Sequence, residues 1–398
     1  MPVPPQPLSG VTVVDLSRLL PGPLAAKILA DLGARVIKVE EPKMGDPVRL
    51  APPRVEGTSA LATILLSGVE SIALDLKKPA GRKVLHRLLE QADVMLDTLR
   101  PGTLRRLGLD PEELRERHPR LIVCSLTGWG EDGPQSARAG HDLTYQALAG
   151  SLAPTAGGDI PPAVPLADVA GAWSTATAIL AALHERGRTG RGRRIDASLY
   201  DAAIHANLTA CAEEADGTHD VGEPLPLTGA YPCYRIYRTK DDRRFALAAL
   251  EPKFWKRFVD AVDRRDLEPF HLRSDRKAHQ ALEDLFAERT RDAWQELCEG
   301  EDLPGEPVLS AAEARAHPQM EARQVLIEHR GMLELDFPAR FDGRRPGSGR
   351  RVPELGQDTE RLLAEIGLTK EDLPRARRRA GIGRRFSLKR LLSRWLVD

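Results

Sequence analysis

The sequence predicts an α/β fold: a large domain on an open, mainly parallel sheet, followed by a smaller α+β domain. Three observations carry this. Short β-rich runs and helix-periodic runs alternate through the first 130 or so residues, the pattern that builds parallel sheets. A polar stretch rich in Gly, Asp, Glu and Pro, Ala212–Pro226, then interrupts the chain like a linker. Beyond it, two β-rich runs separated by a turn read as a hairpin.

The elements follow in order. Val11–Leu16 is the first strand. Pro23 opens an apolar-periodic stretch (Leu24, Ile28, Leu29, Leu32) that Gly33 closes, with proline at the start and glycine just past the end of a helix. Arg35–Glu40 is the second strand and completes a βαβ unit. The pattern recurs as a strand at Ser71–Leu76, a helix at Gly81–Gln91 and a strand at Val94–Asp97. A helical segment at Pro111–Arg117 and a strand at Leu121–Leu126 come next. An Ala-rich helix spans Gly171–Leu183, and its small residues suit close helix packing. The Gly/Arg loop Arg186–Arg194 leads into Ile195–Ala203, which reads as either strand or helix. In the smaller domain Tyr231–Arg238 and Arg244–Leu250 flank a Thr-Lys-Asp-Asp turn, with helical patterns at Phe254–Val262 and Ala281–Leu297. Helical character returns from Ala311, broken at Pro318. The expected division is 1–210 and 316–373 for a large Rossmann-like domain, 225–315 for the small one and 374–398 for a tail.

Composition narrows the function classes. The 398 residues carry 58 Lys+Arg against 58 Asp+Glu, whereas nucleic-acid proteins usually carry a basic excess. That balance is a sum of opposites: residues 375–398 hold nine Lys/Arg against the single Asp398, so the rest of the chain is acidic. Phe386, Leu388, Leu391, Leu392, Trp395 and Leu396 give this basic tail an amphipathic helical pattern. Such a helix offers a weak contact to an anionic membrane surface, or packs on the acidic body. The uninterrupted apolar runs fall far short of the ~20 residues of a membrane span. No secretory pattern opens the chain, and Cys124, Cys211, Cys233 and Cys298 make no CxxC pair. A cytoplasmic protein without a bound metal is expected. The first βα turn, Leu19-Leu-Pro-Gly-Pro23, lacks GxGxxG, so a dinucleotide fingerprint is missing. Glu40 stands where such folds place a ribose-binding acid, and equally where a plain strand-end carboxylate belongs.

Three stretches set polar residues among small or apolar ones. The first is the Gly-rich loop Leu126–Pro134, followed by Gly140-His-Asp-Leu-Thr-Tyr145. The second is Pro165–Gly171, with Asp168 just ahead of the Ala-rich helix; an Asp there also serves as an N-cap. In the third, Glu251-Pro252 ends a strand of the small domain, and it equally suits the first turn of a helix.

Together these residues resemble the family III CoA-transferases (CaiB/BaiF), and within them the bacterial α-methylacyl-CoA racemases. The resemblance runs from Leu8 to about Leu373. It rests on Val13-Val-Asp-Leu-Ser-Arg-Leu-Leu-Pro-Gly-Pro23, Val36-Ile-Lys-Val-Glu-Glu-Pro42 with Gly45-Asp46 and Arg49, and Ala73-Leu-Asp-Leu-Lys77. Further landmarks are Arg100-Pro-Gly102, Arg106-Leu-Gly108, Thr127-Gly-Trp-Gly130, Arg188-Thr-Gly-Arg-Gly192, Ile195-Asp-Ala-Ser198 and Gly356-Gln-Asp-Thr359. What it implies differs between two chemistries. Transferase members use an Asp as covalent nucleophile, here Asp168. Racemase members use two acid/base groups on opposite faces of an α-carbon, and Gly140-His141-Asp142 with Glu251-Pro252 follows their pattern. The implied reaction is interconversion of (R)- and (S)-2-methylacyl-CoA through a thioester enolate, with His141 and Asp168 exchanging the proton. Histidine ordinarily titrates near neutral pH, which suits a base. Asp168 needs a desolvated setting to hold a returnable proton. Asp142 and Glu251 are implied helpers. Backbone N–H groups around Gly128, Gly130 and Gly140 are placed to stabilise the enolate oxygen.

For the CoA moiety the resemblance implies Lys38, Arg100 and Arg105 at the phosphates and Tyr145 at the thioester end. CoA enters as part of the substrate, and no separate cofactor is implied. The family also implies an interlocked homodimer whose active sites combine the large domain of one subunit with the small domain of the other. One departure stands out: the family's Asn-Arg-Gly-Lys-Arg-Ser run is here Leu66-Ser-Gly-Val-Glu-Ser71, which loses basic residues and gains Glu70.

Overall fold

A computed structural model of the chain describes residues 6–152, 161–213, 215, 225–329, 331–346 and 351–369. The basic tail lies outside the described residues. Six parallel strands form the main sheet: β1 (Thr12–Asp15), β2 (Arg35–Glu40), β3 (Glu70–Ala73), β4 (Val94–Asp97), β5 (Ile122–Thr127) and β6 (Arg194–Ser198). Their spatial order is β3-β2-β1-β4-β5-β6. The chain thus builds outward from β1 in one direction, then returns to start again at β4. In open parallel sheets the crevice at such a reversal, beyond the carboxyl ends of the strands, is where ligands bind.

Each face of the sheet has its own apolar layer. One joins Val13, Val36, Val94 and Ile122 to the helices Pro21–Asp31, Ala60–Leu66 and Leu166–Thr189. The other joins Val14, Ile37, Ile72 and Met95 to the helices Pro79–Leu89, Pro111–Arg117 and Thr359–Glu365. Successive strand residues point to opposite faces, so Val13 and Val14 feed different layers. This two-sided burial is why the strands read as continuous apolar runs.

The Ala-rich helix is longer than its apolar run, spanning Leu166–Thr189. By length and composition alone it is long and apolar enough to cross a membrane, a property the count of uninterrupted apolar residues misses because Ser, Thr and Asp punctuate it. Here Gly171, Ala172, Thr175, Ala176 and Ile179 are buried against the sheet's helical layer. The ambiguous stretch after it is both things in turn, strand β6 and then helix Leu199–Ala206, divided at Ser198, whose hydroxyl caps the helix by accepting from Asp201 N–H at 3.0 Å.

The smaller unit holds three antiparallel strands: β7 (Tyr234–Arg238), β8 (Arg244–Ala248) and β9 (Gly305–Pro307). Tyr237, Phe245, Trp255, Phe258, Phe286 and Trp294 fill its core, and Trp294 Nε1 donates to the Phe286 carbonyl at 3.0 Å. The single helical pattern over Ala281–Leu297 is two helices, Arg276–Phe286 and Arg291–Gly300. Thr290 divides them, its hydroxyl accepting from Ala293 N–H at 3.3 Å.

Helices Ala311–Ala316 and Pro318–Arg323 divide at Pro318 as expected, but beyond them the helical character stops: Leu326–His329 and Met332–Leu335 pair as an antiparallel hairpin. The Leu-Ile-Glu-His and Met-Leu-Glu-Leu runs are too short to show a two-residue period. The hairpin seats on the large domain, where Ser67 Oγ donates to Glu334 at 3.1 Å and Lys27 Nζ to the Leu335 carbonyl at 3.2 Å. The Gly356–Thr359 motif then clamps β3: Asp358 accepts from Ser71 N–H at 2.9 Å, and the Thr359 hydroxyl accepts from Ala73 N–H at 3.2 Å. Glu70, the departure from the family pattern, belongs to this clamp. It pairs with Arg35 at 2.9 Å and with Arg361 of helix Thr359–Glu365 at 3.1 Å.

Candidate active site

The site grows from the carboxyl ends of the central strands. β5 ends at Thr127, and Gly128-Trp129-Gly130 turns the chain over it; Gly130 has φ +88, a conformation that favours glycine. The turn is tied down when Glu131 N–H donates to the Asp196 carboxylate of the neighbouring β6 (3.1 Å to Oδ2). The chain returns as helix Asp142–Leu148, with His141 at its N-cap position. There the Thr144 hydroxyl accepts from His141 N–H at 3.0 Å, and Asp142 in the first turn suits the positive end of the helix dipole.

Tyr145 fixes the two glycine loops. Its ring is buried and meets Trp129 edge-on, with centroids 4.7 Å apart. A Cβ on Gly128 would lie 2.2 Å from the Tyr145 hydroxyl, and one on Gly140 would lie 2.5 Å from the ring. Both glycines are therefore required by the packing of Tyr145, whatever their N–H groups bind. Burial, with the charge of Asp168, pushes the Tyr145 phenol up to about 12, and the Arg100 cation works against this shift. Arg100 is exposed, and its guanidinium makes no hydrogen bond or ion pair among the described residues.

Asp168 lies in the first turn of the long helix, not at its N-cap, which is Pro165. Its backbone N–H donates to Asp142 Oδ1 at 3.1 Å, and the other oxygen of Asp142 accepts from Gln146 Nε2 at 2.6 Å. Two carboxylates thus share one site on unequal terms. Asp142 accepts two donors, while the Asp168 carboxylate accepts none among the described residues. Burial first, and the Asp142 charge second, push the Asp168 carboxyl up to about 7. His141, one residue before Asp142, is exposed at the same edge. The structure therefore gathers His141, Asp142, Tyr145 and Asp168 with Gly128 and Gly140. Sequence reasoning missed Gln146, whose four-residue spacing from Asp142 on a helix was the available signal.

Other expected residues are placed differently. Lys38 is enclosed: its Nζ pairs with Asp15 at 3.1 Å and Asp46 at 3.0 Å and donates to the Ser17 carbonyl at 2.9 Å. Three contacts use all three ammonium donors, so Lys38 has none left for a phosphate and is a core ion-pair residue. Glu40 is likewise taken, by Arg49 through both oxygens (2.7 and 2.6 Å) and by the Ser71 hydroxyl at 2.6 Å, which removes the ribose-binding reading. Arg105 is exposed and paired with Asp110 at 2.5 Å, and Arg106 beside it donates to the Thr103 hydroxyl at 2.7 Å. Glu251 occupies the N-cap position of helix Pro252–Ala261 in the small domain. Among the described residues, no hydrogen bond or ion pair joins Glu251 to His141, Asp142 or Asp168 within the chain. At the strand reversal itself, burial pushes the Asp97 carboxyl up to about 7, although Leu99 N–H and the Ser125 hydroxyl donate to it at 2.9 and 2.8 Å.

Comparison with known proteins follows the same outline. The family model for CoA-transferase family III matches residues 8–359. The α-methylacyl-CoA racemase of Homo sapiens is 33% identical over 377 residues, covering 92% of this chain and 95% of that protein. The acetyl-CoA:oxalate CoA-transferase of Acetobacter aceti is 31% identical over 381 residues, covering 90% and 96%. Among solved structures, a CAIB/BAIF family protein from Brucella suis superposes with a TM-score of 0.79 at 32% identity, covering 91% of this chain and 99% of that one.

Proposed function

The chain belongs to CoA-transferase family III, and from that membership we propose that it is an acyl-CoA racemase interconverting (R)- and (S)-2-methylacyl-CoA thioesters. The observation that carries this reading is the state of Asp168. A carboxyl that burial and the Asp142 charge push up to about 7 is placed to take up and return a proton near neutral pH. A nucleophilic carboxylate needs its charge, and the Asp142 charge opposes it.

In this mechanism His141 removes the α-proton from one face of the substrate and Asp168 delivers a proton to the other. The reverse assignment converts the opposite enantiomer. Between the two steps the thioester oxygen carries negative charge, which backbone N–H groups of the Gly128–Gly130 turn and of Gly140–His141 offset. Asp142 stays beside Asp168 as the charge that keeps its proton affinity high. Arg100, unpaired among the described residues and close enough for its charge to act on Tyr145, contributes a cation for the CoA phosphates.

We assign Glu251 to a second copy of the chain. The apolar residues Leu143 and Leu148 on the site helix, Val164 before the long helix and Trp173 on it are exposed at 43, 51, 58 and 37%, a surface that a homodimer would cover. Light scattering on purified protein checks this, and a monomer at assay concentration would refute it.

The reaction is tested by incubating one enantiomer of a 2-methylacyl-CoA in deuterated water. Deuterium enters the α-position in the wild type and not with His141→Ala; full racemisation by that variant would sink the assignment. The transferase alternative, with Asp168 as covalent nucleophile, gives acyl exchange between CoA thioesters and free acids, and hydroxylamine then traps Asp168 as an adduct.

A further inference from the structure

Gln146 is 2% exposed and sits one helical turn after Asp142. A buried glutamine must satisfy its amide, and its Nε2 does so on Asp142 Oδ2 at 2.6 Å. A carboxylate only accepts hydrogen bonds, so the amide has to present its NH2 group and not its oxygen. The remaining Asp142 oxygen accepts from Asp168 N–H at 3.1 Å. With each oxygen held by its own donor, the Asp142 carboxylate is fixed against the first turn of the long helix. We infer that Gln146 is a positioning residue: its buried amide keeps the Asp142 carboxylate seated on Asp168, and so places the charge that Asp168 faces when it takes up or returns a proton.

This rests on the reading that Asp168 exchanges a proton. The charged and titratable groups beside the pair are His141 and Tyr145 on its own segment and Arg100 after β4, while Asp201 and His205 of the packed helix Leu199–Ala206 are exposed to solvent. None of these outweighs Asp142 itself, whose charge acts on Asp168 alongside burial. Removing the Gln146 donor frees one oxygen of Asp142, so its carboxylate can turn away and the charge that Asp168 faces is no longer fixed in place.

Two variants test the role. With Gln146→Met, kcat falls by about tenfold, as expected for loss of one charge-assisted hydrogen bond, and KM stays within about twofold. With Gln146→Glu, the isosteric side chain can donate to Asp142 only while protonated, so relative activity rises as pH drops. A packing role alone would give Gln146→Glu a pH-independent factor, and that result overturns the inference. The second measurement is the titration of Asp168 by carboxyl-carbon NMR, assigned with Asp168→Asn. A displaced titration in Gln146→Met supports the role, and an unchanged one refutes it. If the wild type exchanges no α-proton, the racemase reading fails alone, and the NMR titration still decides Gln146.

Discussion

Replacing Asp168 by Asn should stabilise the protein, and increasingly so as the pH rises. The Asp168 carboxyl titrates at about 7 in the folded chain against an ordinary 3.8. That gap of roughly three units corresponds to about 4 kcal/mol of difference between the two protonation states. Between these values the folded chain holds a proton that the unfolded chain has released. Stability therefore falls with rising pH across the window from about 4 to about 7, and the full cost is present above it. Below pH 4 both states are protonated and the cost vanishes. At pH 5 the cost is about 1.5 kcal/mol, and from there to pH 8 it grows by about 2–3 kcal/mol. Asn carries no such cost at any pH. Asp97 contributes a slope of the same sign, but equally in both proteins, so it cancels in the difference. Urea unfolding of wild type and Asp168→Asn at pH 5, 6.5 and 8, at one protein concentration, measures the difference. A gain that does not change with pH, or a wild type that is the more stable at pH 8, would refute the account of Asp168.

Three further outcomes follow from the same structure. Asp142→Asn removes the like charge, so the Asp168 titration moves down; NMR of the carboxyl carbons reads the direction, and an upward move contradicts the electrostatic pairing. Lys38→Met leaves Asp15 and Asp46 without their cation in the core and should cost about 3–5 kcal/mol in urea unfolding; a variant that folds normally yet loses CoA affinity would restore Lys38 as a ligand. Gly128→Ala forces a methyl to within 2.2 Å of the Tyr145 hydroxyl and should cost about 1–3 kcal/mol. Adding Tyr145→Phe should return part of that loss in a double-mutant cycle, and strict additivity would argue against the contact.

How much of this was legible in the chain depends on how far apart the deciding residues lie. β2, β4 and helix Pro111–Arg117 fall where the sequence pattern puts them, because proline starts, helical periodicity and β-rich runs act within a few residues. The hairpin at Leu326–Leu335 escaped since each strand is only four residues long. Gly128 and Gly140 were visible as loop glycines, but the reason for them, the ring of Tyr145 filling the space, exists only once both loops fold onto it. By itself the sequence determined an alternating α/β chain, the family's ordered motifs, and the presence of His141, Asp142 and Asp168. The tertiary structure decided which charges meet. Lys38 became a core ion-pair residue because Asp15, Ser17 and Asp46, from separate segments, converge on its ammonium group. Glu70 became an anchor because Arg361 arrives from the far end of the chain. Asp168 gained its proton affinity from burial and from Asp142, 26 residues away. Periodicity is local and can be read along the chain, whereas desolvation and pairing depend on neighbours in space, and only folding supplies those.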